Sequence, residues 1–457
     1  MRKVVPIQRL CFFLLVGVTI LKTIAVASAQ DVFEFPQDFK WCTATAAFQV
    51  EGGIRHSDWS EWEQQEGKPR SGLSCDHWNR VGEDIALMQG IHANAYRFSI
   101  EWSRIEPSEG VYDPGAIAHY RAEVESLVAS GITPLITLQH FTLPIWVKNK
   151  GGWEWSGLPE AFTRFVELVY RQIAPQVDLW ITMNEPMNYI LGSFFTGEFP
   201  PGEKRELQGI VGPLRGLLKA HALAYHKLHE LADQGDRKIL VGMALHLREM
   251  VPLNSWNILD RMVAGSAKQT FNWTIPDALN SGRFYMNILR RLSVDEVIPG
   301  LAGTQDFMGV NYYAGDSVRF SMKKGLEPIH WDYKNPADRP LIARGFYSIL
   351  KEVTKRYPGK PLYVTENGTT FESQDPELQP KHLSDHIQQL AQAMAEGVPV
   401  KSYCYWSLLD NFEWNCGTEC RFGLYETNFS TFQRTPRKAA ELFRAVASEN
   451  RVEKLKP

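Results

Sequence analysis

Two glutamates stand out by their placement. The stretch Trp180-Ile181-Thr182-Met183-Asn184-Glu185-Pro186 runs apolar and β-tolerant residues into an amide, a carboxyl and a proline. Proline disfavours helical backbone at the residue before it and cannot donate to a sheet, so Glu185 is expected where a buried strand gives way to a loop. The stretch Pro361-Leu362-Tyr363-Val364-Thr365-Glu366-Asn367-Gly368 repeats the layout, with the glutamate ahead of an Asn-Gly turn signal. Two carboxyls at strand ends can divide one reaction, the first moving a proton while the second holds charge or attacks. Either one alone reads as an ordinary solvated loop residue.

Such residues need a scaffold, and eight runs read as strands: Phe39 to Gln49, Ala93 to Ile100, Thr133 to His140, Leu179 to Glu185, Ile239 to His246, Phe307 to Ala314, Pro361 to Glu366 and Val400 to Leu409. Most are apolar throughout rather than alternating, the pattern of parallel strands covered on both faces. Helical spacing lies between them. Ile117, Tyr120, Val124, Leu127 and Val128 fall on one helical face, as do Phe162, Phe165, Val166, Val169 and Ile173; a closing helix after Pro436 carries Leu442, Phe443 and Val446. No linker, repeat or composition shift divides the chain, so residues 30–457 read as one domain. Eight strands each followed by helix make an α/β fold of the (β/α)8 TIM barrel type, whose active site lies at the carboxyl ends of the strands. The competing open doubly wound sheet calls for a Gly-x-Gly-x-x-Gly after the first strand, which this chain lacks.

At the expected strand ends stand Gln49, Arg97, His140, Asn184 with Glu185, His246, Asn311 with Tyr313, Glu366, and Trp406 followed by Glu413 and Trp414. Hydroxyl-binding donors and acceptors interleaved with indoles suit a sugar ring, polar groups for its hydroxyls and aromatic faces for its C–H surfaces. His246 reads as structural.

The chain opens with Arg2, Lys3 and Arg9, an apolar run from Leu10 to Val26 interrupted by Lys22, and Ala27-Ser28-Ala29. This is a secretory signal layout spanning residues 1–29 with cleavage after Ala29, an uncleaved anchor being the alternative. The expectation is a secreted or periplasmic protein with no stable membrane span after signal removal. The formal net charge of −3 becomes more negative once those four cations leave, which gives nucleic acid nothing to hold. Five cysteines then remain, an odd number. Cys416 and Cys420 are expected to close a small disulfide loop, whereas Cys42 and Cys404, inside strands, read as buried thiols with a bridge between them as the alternative. No metal-ligand spacing accompanies them. Three Asn-x-Ser/Thr patterns, at Asn272, Asn367 and Asn428, are weak glycosylation signals.

The ordered motifs resemble glycoside hydrolase family 1, the β-glucosidase and β-galactosidase family. The resemblance runs from Phe39 through Gly52 to Arg421-Phe422-Gly423 and includes Tyr96-Arg97-Phe98-Ser99, Thr182-Met183-Asn184-Glu185-Pro186, Asn311-Tyr312-Tyr313, Val364-Thr365-Glu366-Asn367-Gly368 and Trp406 through Trp414. It implies a retaining β-glycosidase working without cofactor or metal, with Glu185 as general acid/base and Glu366 as nucleophile. It also implies that Arg97 and Tyr313 contact the nucleophile, and that Gln49, His140, Asn184, Asn311, Tyr313, Trp406, Glu413, Trp414 and Phe422 bind the substrate. Retaining enzymes hold the two carboxyls about 5 Å apart, and a hydrogen bond to the 2-hydroxyl, here from Asn184, tightens at the transition state. Glu413 implies an unphosphorylated 6-hydroxyl, because a carboxylate repels a phosphate dianion.

Two stretches depart from the family pattern. Phe141-Thr142-Leu143-Pro144 replaces the common Trp-Asp-Leu-Pro, as in some members that act on galactosides or mannosides, and Ser57 to Glu63 differs from the commoner Ser-Ile-Trp-Asp. The expected substrates are β-glucosides or related β-galactosides and β-fucosides, as small molecules or oligosaccharides. A transglycosylase would use the same intermediate with an alcohol or sugar acceptor. A non-catalytic carbohydrate-binding relative would be expected to lack one of the carboxyls, and both are present.

Overall fold

The structure is a computed structural model that describes residues 32–288 and 292–453. The proposed signal segment lies outside the described residues. Eight parallel strands close into a barrel: β1 (Lys40–Ala44), β2 (Ala95–Ser99), β3 (Thr133–Thr137), β4 (Leu179–Asn184), β5 (Leu240–His246), β6 (Phe307–Asn311), β7 (Leu362–Asn367) and β8 (Val400–Trp406). Each neighbours the next in sequence, and β8 pairs with β1 to complete the circle.

The all-apolar strand pattern follows from two separate cores. Alternate side chains enter the barrel, where Cys42, Ala44, Ala95, Leu135, Leu179, Ile181, Ala244 and Phe307 form a narrow inner cluster. Those between, including Trp41, Tyr96, Phe98, Ile136, Trp180 and Val241, face the surrounding helices and belong to a larger outer core. Because the strand period is two, Arg97 enters the barrel on the same side as Ala95, one step nearer the mouth. Helix Pro114–Ala129 starts where Asp113 accepts from the backbone N–H groups of Gly115 and Ala116 at 2.8 and 3.1 Å, a cap worth about 1 kcal/mol. It buries Ile117, Tyr120, Val124 and Leu127, while Val128 in its last turn is exposed. The second expected helix runs Leu158–Leu168 and widens into a π-turn over Val169–Ile173, burying all five predicted residues. The closing helix is Lys438–Glu449, with Phe443 and Val446 inside.

Several strands are shorter than their apolar runs. The first ends at Ala44, and Ala47–Val50 turns into a short helix, so Gln49 is a helical residue rather than a strand cap. The Thr45 N–H still donates to the Arg97 carbonyl of the neighbouring strand, and the Ala47 N–H donates to the Ser99 hydroxyl where the helix starts. The cysteine expectation also needs correction. Cys42 and Cys404 are register partners on β1 and β8 with Cα atoms 4.1 Å apart, and they form a disulfide; Cys416–Cys420 is bridged as expected and Cys75 is a buried thiol.

Extra strands and a helix follow the carboxyl ends of β5 and β6. Glu249–Pro252, Gly315–Ser321 and Gly325–His330 form a three-stranded sheet there, with helix Ile258–Lys268 packed on it.

Candidate active site

Both glutamates stand at the mouth. Glu185 follows β4 directly, and its backbone takes a left-handed conformation, φ 43° and ψ 52°. Pro186 does keep it out of right-handed helix, but into the left-handed region rather than an extended one. That conformation costs a non-glycine residue on the order of 1–3 kcal/mol. It is held by the Glu185 N–H donating to the Ala244 carbonyl at 2.7 Å and by two side-chain amides on the carboxyl. Asn311 Nδ2 donates to Glu185 Oε1 and Asn188 Nδ2 to Oε2, each at 2.9 Å.

Glu366, near the end of β7, is held differently. Arg97 Nη1 and the Tyr313 hydroxyl donate to its two oxygens, each at 2.5 Å. Arg97 is fully buried and also donates to the Thr137 hydroxyl, the Thr365 carbonyl and, at 2.6 Å, Asn184 Oδ1. Asn311 Nδ2 reaches the same Asn184 oxygen at 3.1 Å, so one amide network joins the two carboxyls.

The network fixes a tautomer. Asn184 Oδ1 accepts twice, so its nitrogen donates to His140 Nε2 at 3.1 Å. His140 therefore carries its proton on Nδ1, a buried donor with no partner in the protein. Burial, aided by the Arg97 charge, holds this imidazole neutral, well below its usual range. Gln49 supplies the complement. Its Nε2 donates to Asn411 Oδ1, the Phe412 carbonyl and Glu413 Oε2 at 3.1, 3.0 and 3.0 Å, which leaves Oε1 a buried acceptor without a partner. Leaving such groups unpaired costs about 1–3 kcal/mol each, so both stay available to the polar groups of a bound molecule.

Aromatic rings wall this surface. Trp406 and Trp414 lie nearly parallel to the His140 ring at centroid distances of 5.7 and 6.2 Å, and Phe422 meets Tyr313 edge-on at 6.1 Å. Phe141 is spent on packing, stacked on Tyr189 and buried against Phe199 and Trp414.

Three carboxyls share the mouth, and among the described residues Arg97 is the only cation hydrogen-bonded to any of them. Burial pushes all three up: Glu185, Glu366 to about 7, and Glu413 to about 8. The charges compound this, since Glu185 raises Glu366 and Glu366 raises Glu413. Arg97 and Tyr313 pull Glu366 back towards ionisation, whereas the hydrogen bonds to Glu185 come from neutral amides. The donors that favour a charged carboxylate, a guanidinium and a phenol, thus lie on Glu366, while Glu185 has amide donors.

Every site residue expected from the sequence faces this mouth or touches one that does. Two partners of Glu185 were missed. Asn188, one turn along helix Pro186–Leu191, is visible only as the third residue after a glutamate. His246, taken for structural, ends β5 with Nδ1 3.6 Å from Glu185 Oε2, and neither of its ring nitrogens has a hydrogen-bond partner. Its place at a strand end was the available signal.

The model for glycosyl hydrolase family 1 matches residues 32–452. The chain belongs to that family. As a family 1 glycoside hydrolase it is similar to "Beta-glucosidase A" of Thermotoga maritima, 29% identical over 456 residues that cover 93% of this chain and 100% of the relative. Among solved structures it resembles a β-glycosidase from Pyrococcus horikoshii, 35% identical with a TM-score of 0.83 over 92% of this chain and 96% of that one. It also resembles the Thermotoga maritima β-glucosidase in complex with glucoimidazole, 29% identical with a TM-score of 0.83 over 91% of this chain and 99% of that one. The family 1 barrel thus accounts for nearly all of the described chain.

Proposed function

We propose that this family 1 enzyme is a retaining β-glycosidase acting on unphosphorylated β-glucosides or related β-galactosides and β-fucosides, with Glu366 as nucleophile and Glu185 as acid/base. The observation that carries the reading is the unequal treatment of the two carboxyls: a guanidinium and a phenol on Glu366, amides alone on Glu185. Glu366 attacks the anomeric carbon while Glu185 gives its proton to the departing oxygen, forming a covalent glycosyl ester. Esterification leaves Glu366 without charge, and Glu185 then accepts a proton from the incoming water as its oxygen displaces Glu366 from the anomeric carbon. The unpartnered Gln49 acceptor and His140 donor suit sugar hydroxyls, with Trp406 and Trp414 beside them. Glu413, bonded to Gln49, would repel a phosphate at the sugar's 6-position once ionised. Similarity to a β-glucosidase solved with a glucose-like inhibitor supports the substrate class.

The roles are tested together. In Glu366→Ala, turnover is lost, and added azide restores transfer to give an α-glycosyl azide. Unchanged hydrolysis, or rescue to the β-azide, would reverse or sink the assignment. In Glu185→Ala, aryl glycosides with good leaving groups still load the enzyme, and poor leaving groups do not. A panel of 6-phosphorylated substrates tests Glu413, since faster turnover of these refutes its role. The two disulfides support the further proposal that the chain is exported to an oxidising compartment after cleavage at Ala29. N-terminal sequencing of the native protein checks it, and an intact Met1 terminus would be the contrary result.

A further inference from the structure

A group of large apolar side chains stands exposed beside the mouth. In the loop and helix after β5 these are Leu253 at 48%, Trp256 at 91%, Ile258 at 62%, Leu259 at 47% and Met262 at 57% exposure. At the tip of the hairpin after β6, Met322 is 92% exposed. The two segments are tied into one body. The Leu253 N–H donates to the Val318 carbonyl, and buried Asp260 accepts from the N–H groups of Asn254 and Phe320 at 3.2 and 2.8 Å.

We propose that this surface docks on a lipid surface bearing anionic headgroups. Shape favours lipid over a second protein. A side chain more than nine-tenths exposed touches almost nothing of its own chain, so Trp256 and Met322 crown convex tips. Such tips sink into a deformable headgroup layer, whereas a protein partner must supply matching hollows. Charge favours the same occupant: Arg261, Lys323 and Lys324 are exposed around the tips, and the nearby Glu327 is held by Arg319 and Lys324, each at 2.9 Å. The basic patch contrasts with a chain of formal net charge −3. Among the described residues no helix is long and apolar enough to cross a membrane. Both segments leave the carboxyl ends of their strands, so docking turns the mouth towards β-glycosides whose aglycones sit in the lipid. That consequence rests on the function proposed above.

The test is co-sedimentation of the full chain with vesicles of phosphatidylcholine alone or mixed with phosphatidylglycerol. Binding is expected to the mixed vesicles, and the double variant Lys323→Glu, Lys324→Glu should weaken it roughly tenfold or more. Trp256→Ser with Met322→Ser should weaken it comparably. An environment-sensitive fluorophore on Met322→Cys should shift to the blue on binding. Sedimentation without that shift assigns binding to another segment and overturns the proposal, as does absence of sedimentation. Concentration-dependent self-association that Trp256→Ser abolishes, without vesicle binding, assigns the patch to a second copy instead. A soluble aryl β-glucoside reports separately on the glycosidase reading, and its hydrolysis by these variants should match the parent.

Discussion

Two buried clusters of acids lie on opposite sides of the barrel wall, and they treat protons differently. Outside the wall, Asp84 receives Arg434 through Nε and Nη2 at 2.9 and 3.1 Å and His77 Nδ1 at 2.7 Å, while His77 Nε2 lies 3.2 Å from Glu123. Burial opposes ionisation there too, yet these partners hold Asp84 below its usual range and raise His77 to about 10. At the mouth, three carboxyls share one hydrogen-bonded cation and all rise. The outer cluster matches acids with cations, so its charges are fixed and serve the fold. The mouth is short of cations, so a proton stays available near neutral pH, as acid and base catalysis requires.

Single substitutions can break this contrast. The largest effect is expected from Glu366→Gln, which should lower kcat by about 10⁴-fold or more, a loss well beyond what the stability lost by leaving buried Arg97 without its carboxylate accounts for. Arg434→Met should do the reverse. It leaves buried Asp84 and Glu123 to share His77 and costs about 3–5 kcal/mol in denaturant unfolding, with the pH dependence of kcat/KM preserved in the folded fraction. Tyr313→Phe sharpens the comparison. Without its hydroxyl the Glu366 carboxylate loses a donor, its pKa rises, and the acidic limb of the rate profile moves to higher pH. A hydrogen bond to a charged group is worth about 1.5–3 kcal/mol, so the shift is about one to two pH units.

Stability against pH is a gentler probe. Glu51, Asp58, Glu366 and Glu413 are raised to about 7, 8, 7 and 8, so the folded state binds more protons than the unfolded one above their ordinary values, and stability falls as pH rises through these values. His221, His246 and His386 are lowered to about 4, 3 and 4, so stability falls as pH drops below 6.5 towards those values. The melting temperature should peak between pH 4.5 and 6.5, the ordinary values of the two groups, and a maximum above pH 8 would contradict these assignments.

Much of the fold was legible in the chain because a parallel strand between two apolar layers leaves an unmistakable run. All eight runs became barrel strands. Their ends were less legible, as at Gln49, because Thr45 to Val50 is as apolar as the strand it follows, and the Ser99 hydroxyl that receives the Ala47 N–H at the start of the helix lies 52 residues away. The Cys42–Cys404 bridge was obscured by a separation of 362 residues, which vanishes when the last strand closes on the first. Among the three glycosylation patterns, Asn272 and Asn367 are buried and committed to backbone carbonyls, which no sequence pattern reports.

Which residues reach the mouth was decided by the sequence alone, through strand runs that end in Asn184-Glu185 and Thr365-Glu366. The unequal surroundings of the two glutamates were left to the tertiary structure. Each is a carboxyl after an apolar run, and nothing local separates them. Barrel closure brings Arg97 from 269 residues away and Tyr313 from 53 residues away onto Glu366, and leaves Glu185 with amides. Ionisation in a buried site depends on the nearest donors, and in this chain those donors arrive only by folding.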